Sequence, residues 1–314
     1  MAHPFLRSRP LTSGSSNTAQ PSRERPMPES SVSTSTPPAL NDAALQTLLQ
    51  EDAPYGDLTT DSLDIKGAAG WMRFFVRDPM RVCGTEEAAR MLELCGAQSH
   101  LVTRSGHDGA AGALLLEARG PAGALHLGWK AAQTLVEWCS GIASSALEIT
   151  TAARHGHPQA LVAGTRKNVP GNRRLAAKAF AAGDAVMHRL GLSETLLVFA
   201  EHRAFLDAES PARTLERLRQ RCPEKRVVVE VGSLEEALIW AEADVLQLEK
   251  FPPKRVAETI AALRERRAPA LVAAAGGINA TNAEAYARAG ARLLVTTAPH
   301  LAPPRDVQVR FEAL

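Results

Sequence analysis

The 314-residue chain has 36 Lys and Arg against 34 Asp and Glu, a net charge of +2 at pH 7, and only 4% aromatic residues. Balanced charge and few aromatic side chains argue against general binding of nucleic acid, since phosphate attraction and base stacking would both be weak. The four cysteines are scattered without a Cys-x-x-Cys pair, which argues against a zinc site and favours a reducing compartment. No apolar run approaches the ~20 residues of a membrane helix, and the basic N-terminus lacks the apolar core of a secretory signal. We therefore expect a cytoplasmic protein that binds neither nucleic acid nor membrane.

The first 38 residues differ in composition from the rest of the chain. They are rich in Ser, Pro, Thr and Arg and lack apolar periodicity, so they cannot bury enough surface to order themselves. We predict a disordered tail over residues 1–38, and the sequence leaves open whether Met27 is the true start. After the tail we expect an N-terminal domain over residues 39–155, a second domain over 156–300 and a C-terminal segment over 301–314.

The pattern from Leu40 to residue 155 predicts a small sheet with helices. Asp42 is expected to cap a short helix, and Asp57 follows a turn where its side chain most simply makes cap and turn bonds. The elements expected next are strands Trp71–Val76, His100–Thr103 and Ala113–Ala118, a helix Gly84–Cys95, and a long helical region from Pro121 that breaks at Gly141 and resumes to Arg154.

From Ala160 onward, short apolar or β-branched runs alternate with amphipathic helices. The expected strands are Ala160–Gly164, Asp184–His188, Thr195–Phe199, Arg226–Val231, Asp244–Glu249, Ala270–Ala275 and Arg292–Thr297. The expected helices are Gly171–Ala182, Pro211–Arg221, Ser233–Glu242, Pro253–Arg266 and Thr281–Ala289. This alternation favours a parallel sheet with right-handed crossovers. Seven strands fit a closed or nearly closed α/β barrel, and a doubly wound open sheet is the alternative.

Positive charge is concentrated between Thr165 and Arg189. This stretch contains one acid, Asp184, against six cations: Arg166, Lys167, Arg173, Arg174, Lys178 and Arg189. Apolar segments flank it on both sides, and an unpaired charge near a core is costly. The pattern therefore indicates an anionic ligand, with a solvated basic helix face as the alternative.

Polar residues stand where the expected strands end, which is where α/β barrels carry their chemistry. The Gly276-Gly277 pair would let backbone N–H groups approach an anion closely, although a plain turn would look similar. Glu230 and Glu249 end otherwise apolar strands. They either pair with nearby cations or hold Mg²⁺ beside a phosphate site.

Several of these segments resemble motifs of the quinolinate phosphoribosyltransferases, also called nicotinate-nucleotide pyrophosphorylases. TRKNVPGNRR and the later MHRLGL are similar to the family's TRKT-x-PG-x-R and HR-x-x-L signatures, and EDAPYGDLTT is similar to its ED-x-G-x-GD-x-T. VVVEV, LQLEKF and VAAAGGI correspond to further strands of that family. The resemblance covers about residues 40–312, and segments such as MHRLGLSET and VLQLEKF most resemble the ModD subgroup, the molybdenum-transport-associated pyrophosphorylases.

The resemblance implies a fold and a reaction. The fold is an N-terminal α/β sandwich, to which the C-terminal segment returns, followed by a seven-stranded, incomplete TIM-like α/β barrel. The implied assembly is a homodimer in which the partner's N-terminal domain contributes to each active site. In the implied reaction a ring nitrogen attacks C1 of phosphoribosyl pyrophosphate (PRPP), and pyrophosphate bound to Mg²⁺ leaves.

The resemblance also assigns roles to residues. Substrate-binding positions are matched by Lys130, Arg166, His188, Arg189 and Phe199. Catalytic positions are matched by Lys167, Glu230 and Glu249, and the two glutamates would hold Mg²⁺ directly or through water. The phosphate loop is matched by Gly276 and Gly277. Thr296, Thr297 and Lys250 stand at strand ends, and we expect them to bind phosphate as well.

Some matched positions depart from the family. Lys130 stands where the family has the arginine that crosses the dimer, and Phe199 stands where it has a lysine. Ala275 replaces a serine, and the lysine that follows the TRK motif is shifted to Lys178. Losing one ionic contact to a buried carboxylate costs roughly 2–5 kcal/mol. We therefore expect quinolinate to be a poor ligand and the acceptor to be a less anionic nitrogen heterocycle.

Two alternatives stay open. One is a true decarboxylating quinolinate phosphoribosyltransferase of NAD biosynthesis, despite Phe199. The other belongs to a different class, a non-catalytic accessory protein that binds an anion such as molybdate.

Overall fold

The computed structural model describes residues 38–206 and 209–314. The predicted tail lies outside the described residues except for Pro38, and Met27 lies outside them too. Among the helices of the described ranges, none combines the length and the apolar character that crossing a membrane requires.

Two short helices open the described chain. Helix α1 (Asp42–Asp52) is capped by Asn41, whose side chain accepts a hydrogen bond from the Ala44 N–H at 3.1 Å, so the prediction of Asp42 as the cap is wrong by one residue. Asn41 has the extended backbone that a cap requires. Helix α2 (Leu58–Ser62) begins after Asp57, which accepts from two backbone N–H groups and so confirms the capping role expected of it.

An antiparallel sheet follows. Its strands are β1 (Ala69–Val76), β3 (Gln98–Leu101), β5 (Leu114–Pro121) and β13 (Val307–Ala313), and they pair in the order β13-β1-β5-β3. A separate two-stranded ribbon joins β2 (Met80–Arg81) to β4 (Asp108–Gly109). Strand β13 pairs with β1 from Val76↔Val307 to Gly70↔Ala313, so a segment far along the chain forms one edge of this sheet.

Two helices cover this sheet: α3 (Thr85–Leu94) and α4 (Ala122–Gly156). The break predicted at Gly141 is wrong, because α4 runs through it as one helix of 35 residues. A Cβ at Gly141 would lie 3.0 Å from Pro304 Cα, so the glycine permits a late segment of the chain to pack against the helix. Close packing, and not a helix end, accounts for this glycine.

The second sheet has seven parallel strands in the order β7-β6-β12-β11-β10-β9-β8. They are β6 (Leu161–Gly164), β7 (Val186–Met187), β8 (Leu196–Val198), β9 (Val227–Val231), β10 (Val245–Glu249), β11 (Leu271–Ala275) and β12 (Leu293–Thr296). The order is a cyclic permutation of the chain order, as in a barrel, and it lacks the reversal that defines a doubly wound sheet. The incomplete barrel is therefore confirmed, and the doubly wound alternative is wrong.

Helices connect the strands of the barrel. They are α5 (Arg173–Ala182), α6 (Ala200–Arg203), α7 (Pro211–Arg221), α8 (Leu234–Ile239), α9 (Pro253–Glu265) and α10 (Ala283–Arg288), with a 3₁₀ helix at Ala298–Leu301. The barrel interior is apolar, with Leu197, Val228, Val245, Ala273, Ala275 and Val295 packed together.

Lys178 on α5 corrects one expectation about the basic stretch. It is 5% exposed, and its Nζ lies 2.9 Å from the Glu86 carboxylate and 2.6 Å from the Glu87 carboxylate, both on α3. The two acids hold the pKa of Lys178 above its usual value even though burial alone would lower it. The partner of this cation is therefore the protein itself, and the ion triad joins α5 to the N-terminal helices.

Candidate active site

A cavity of about 690 Å³ opens at the C-terminal ends of the barrel strands. Each of the seven strands, or the loop that follows it, contributes to its lining. Eleven of the thirteen residues that the sequence analysis gives a site role line it: Arg166, Lys167, His188, Arg189, Phe199, Glu230, Glu249, Lys250, Gly276, Gly277 and Thr297. Parallel strands bring these positions together because all their carboxyl ends meet at one rim.

Cations occupy the β6 and β7 side of the cavity. Arg189 is only 5% exposed, and burial together with the neighbouring Arg166 lowers its pKa. Burial, and then Arg189, also lowers the pKa of His188, which favours the neutral imidazole at pH 7. A buried guanidinium beside a second one requires an anion, and planar carboxylates match the fork of an arginine.

Phe199 lies next to these cations at the end of β8. The Arg189 guanidinium is 5.7 Å from the centroid of the Phe199 ring. On another side the ring stacks on His202, with the planes at 14° and the centroids 5.7 Å apart. An aromatic side chain thus occupies the position for which the resemblance implies a lysine.

Acids occupy the β9 and β10 side. Glu230 Oε2 accepts a hydrogen bond from Gln247 Nε2 at 2.7 Å. Burial raises the pKa of Glu230 against the opposing effect of this hydrogen bond, and the nearby Glu249 and Glu201 raise it further. The cavity therefore has guanidinium groups after β6 and β7 and carboxylates at or after the ends of β8, β9 and β10, with Lys250 next to Glu249.

A glycine loop forms the rim after β11. Gly276 and Gly277 have φ of 89° and 77°, which other residues adopt at a cost. A Cβ on Gly276 would lie 2.7 Å from Lys250 Cγ and 3.1 Å from Glu249 Oε1, so only glycine fits beside those side chains. Helix α10 begins at Ala283, later than expected, and residues 278–282 separate it from the glycine pair.

Threonine hydroxyl groups form hydrogen bonds at the ends of β6 and β12, next to the glycine loop. Thr165 Oγ1 and Thr297 Oγ1 are 2.9 Å apart, and His300 Nε2 lies 2.9 Å from the Thr165 carbonyl oxygen. Thr296 is 2% exposed and does not line the cavity. Its hydroxyl donates to the Ile278 carbonyl and accepts from the Ala298 N–H, so it holds the glycine loop against the end of β12.

Lys130 lies elsewhere, on α4. It lines a second cavity of about 530 Å³, together with Leu48 of α1, Trp138 of α4 and Leu175 of α5. Its ammonium group sits 4.2 Å from the centroid of the Trp129 ring. The structure therefore does not bring Lys130 to the barrel cavity of its own chain.

Sequence reasoning missed Gln247, which lines the cavity from inside β10. A signal was present, because Gln247 precedes Glu249 by two residues, and alternate residues of a strand share a face. Within residues 38–206 and 209–314, no group of three or more His, Cys, Asp or Glu side chains is placed to hold a metal ion. Glu230 and Glu249 therefore provide two carboxylates without a complete metal cage.

Comparisons with known proteins identify the family of this chain. Family models described as the N-terminal and C-terminal domains of quinolinate phosphoribosyl transferase match residues 57–140 and 142–310. A Rhodobacter capsulatus protein named pyrophosphorylase ModD is 50% identical over 256 residues, which cover 81% of this chain and 98% of that protein. The nicotinate-nucleotide pyrophosphorylase (carboxylating) of Mycobacterium leprae is 33% identical over 270 residues, covering 82% of this chain and 93% of that enzyme.

The fold comparison reaches the same family. The structure of the nicotinate-nucleotide pyrophosphorylase from Francisella tularensis superposes with a TM-score of 0.78 at 20% identity, covering 88% of this chain and 98% of that one. At that identity the likeness concerns the fold alone. With both family domains matched in order and the ModD relative so similar, the chain belongs to the quinolinate phosphoribosyltransferase family of pentosyltransferases.

Proposed function

We propose that this protein transfers the phosphoribosyl group of PRPP to a ring nitrogen of a small heterocycle and releases pyrophosphate. The observation that carries the proposal is a cavity of about 690 Å³ whose lining combines guanidinium groups, carboxylates and a glycine loop. The N–C1 bond forms while the C1–O bond breaks, and its electron pair leaves with pyrophosphate. Such a reaction needs an anion site for the acceptor, negative charge near C1 and a phosphate site.

The carboxylates of Glu230 and Glu249 can stabilise the ribose during transfer. Positive charge develops at C1 as pyrophosphate departs, and fixed carboxylates stabilise it because they need no reorganisation. Glu230 is held in place by Gln247, and Glu249 lies beside Gly276. Lys167 and Lys250 are exposed and line the cavity, and their ammonium groups would neutralise the phosphate groups.

The same two carboxylates could also bind Mg²⁺. This ion prefers carboxylate and phosphate oxygens, and it is commonly held by one or two carboxylates together with substrate phosphates. Glu230 and Glu249 supply that number of carboxylates at the cavity. When bound, Mg²⁺ would neutralise charge on the leaving pyrophosphate.

The acceptor is proposed to be less anionic than quinolinate. Arg166 and Arg189 offer a site for one carboxylate, whereas Phe199 offers no charge for a second one. The second candidate, decarboxylating transfer to quinolinate, is favoured by the identity to the M. leprae enzyme and by the four cationic or imidazole side chains at the site, Arg166, Lys167, His188 and Arg189.

A homodimer is also proposed, because Lys130 lies outside its own barrel cavity while the resemblance assigns it to a substrate site. Sedimentation velocity would give the oligomeric state. Mixing Lys130→Ala subunits with Arg166→Ala subunits would test the shared site, since a mixed dimer would regain activity in one of its two cavities. Absence of regained activity in a proven mixed dimer would contradict the sharing.

Pyrophosphate release from PRPP and Mg²⁺ tests the function, with quinolinate or nicotinate as acceptor and mass detection of the mononucleotide. We expect nicotinate to be used more efficiently than quinolinate. Efficient turnover of quinolinate with loss of CO₂ would favour the second candidate. Failure of PRPP to bind the folded protein would contradict both.

A further inference from the structure

Gln247 is a polar side chain inside the apolar barrel. It stands between Val245 and Glu249 on the interior face of β10, and it is 5% exposed. Its neighbour across the strand pair is Glu230, which is in register with it on β9. A buried carboxamide is costly unless both of its ends find partners.

Only one end of this carboxamide has a partner. Gln247 Nε2 donates to Glu230 Oε2 at 2.7 Å. An ionised carboxylate can only accept, so this contact sets the orientation of the amide and leaves Oε1 facing away from Glu230. Within the described residues Oε1 is buried and receives no hydrogen bond.

The lining of the cavity that Gln247 shares defines what can approach Oε1. Leu197 and Val295, each two strands away from β10, add apolar surface, and Phe199, beside Arg189, adds an aromatic face. These groups accept a planar ring and offer no charge. Glu201 and Glu230 stand on this side of the cavity, and their negative charge disfavours a ligand carboxylate here.

The side of the cavity that follows β6 and β7 favours anions. Arg166 and Arg189 lie there, and both guanidinium groups favour an anion. A ligand that spans the cavity therefore meets cations at one edge and hydrogen-bond acceptors at the other. A second carboxylate would face the acids, whereas an N–H group would satisfy Gln247 Oε1.

We propose that the acceptor is a planar nitrogen heterocycle with a single carboxylate and an N–H donor group, and that Gln247 Oε1 accepts the hydrogen bond of that donor. The inference rests on the proposed phosphoribosyl transfer and assigns Gln247 as the residue that determines specificity. A site built to bond a donor discriminates strongly against analogues that lack it, because the buried acceptor is then left unpaired.

The test compares nicotinate, quinolinate and the 2-, 5- and 6-amino derivatives of nicotinate by kcat/KM for pyrophosphate release. Wild type is compared with Gln247→Met, which keeps the length of the side chain and removes the carboxamide. Gln220→Met on the exposed face of α7 serves as the matched control. The Kd of PRPP is measured in parallel for each protein.

We expect at least one aminonicotinate to exceed both nicotinate and quinolinate tenfold or more. Gln247→Met should reduce that preference at least tenfold. Losing the hydrogen bond to Glu230 would act on all five acceptors alike, so the ratio of their kcat/KM values is the readout. The proposal is overturned if no donor-bearing acceptor is preferred, or if Gln247→Met leaves the preference intact.

Two further outcomes separate this proposal from the proposed function. If Gln247→Met mainly weakens PRPP binding, the carboxamide faces the sugar, and the acceptor class is wrong while transfer stands. If wild type binds PRPP but turns over none of the five heterocycles, the acceptor class is again wrong. If PRPP does not bind at all, both the proposed function and this inference are wrong.

Discussion

The Arg189 guanidinium lies 5.7 Å from the centroid of the Phe199 ring, so an aromatic face stands beside a buried cation of the proposed acceptor site. The resemblance implies a lysine at this position, and Phe199 carries no such charge. Phe199→Lys is expected to lower the KM for quinolinate about ten- to a hundredfold, since a restored ionic contact is worth about 2 kcal/mol. Steady-state kinetics with quinolinate as acceptor checks this.

The control for this prediction is Phe199→Leu, which removes the ring without adding charge. An equal gain in both variants would mean that space, and not charge, limits quinolinate. An unchanged KM in Phe199→Lys would place the second carboxylate of quinolinate away from this position.

Gly276 sets the shape of the rim. With φ of 89° and a Cβ position 2.7 Å from Lys250 Cγ, Gly276→Ala would displace Lys250 or Glu249. We expect PRPP to bind at least tenfold more weakly, as measured by titration calorimetry. Gly112→Ala has a similar positive φ of 82° and open space around the new methyl, so it should strain the backbone and leave PRPP binding intact. Equal effects of the two substitutions would assign the loss to instability alone.

The buried triad of Lys178, Glu86 and Glu87 predicts a large stability effect. Lys178→Met leaves two buried carboxylates without their cation, and removing one partner of a buried ion pair costs about 3–5 kcal/mol. Urea unfolding should show this loss. Lys66→Met removes the exposed ion pair with Asp61 and should cost at most about 1 kcal/mol.

A compensated variant keeps the triad prediction testable. Adding Glu86→Gln and Glu87→Gln to Lys178→Met removes the uncompensated charges and should recover part of the lost free energy of unfolding. A Lys178→Met protein as stable as wild type would show that the triad contributes nothing.

Glu230 predicts a pH dependence with a definite sign. Its pKa is raised above 4.5, chiefly by burial, so the folded state holds this proton more tightly than the unfolded chain does. Stability therefore falls as pH rises from 4.5 through the folded pKa, because the carboxylate must ionise in a desolvated site. Glu230→Gln removes this cost, and its Tm should exceed that of wild type at pH 8, with the gain vanishing below pH 4.5.

The turnover of Glu230→Gln should fall, although its Tm should rise at pH 8. Loss of the carboxylate near C1 should lower kcat by about a hundredfold, the size of effect seen when one preorganised electrostatic group is removed. Glu265→Gln on the exposed end of α9 should change neither the Tm profile nor kcat. A Tm gain that is independent of pH would contradict the account of the raised pKa.

The barrel was predictable because its strands are short apolar runs separated by helices, and each predicted strand overlaps the observed one. The rim residues followed from this, since strand ends must meet at one edge. The prediction of a helix break at Gly141 is wrong because the segment that packs on this glycine, at Pro304, lies far along the chain. No local pattern distinguishes a helix-breaking glycine from one that allows close packing.

Lys178 shows that local sequence patterns do not reveal ion pairs between distant segments either. Its partners Glu86 and Glu87 come about ninety residues earlier, on α3, so the local sequence shows the cation without its acids. Gln247 is different, because the period of two in VLQLE already places it on the face of Glu249. What the sequence could not indicate was that one end of its carboxamide would remain unpaired.

The central claim is that the barrel cavity binds PRPP. The most direct measurement is titration of PRPP into the protein in the presence of Mg²⁺, with pyrophosphate as a competitor. The account predicts saturation at one PRPP per chain and weaker binding in Gly276→Ala but not in Gly112→Ala. A folded wild-type protein that takes up no PRPP would contradict it.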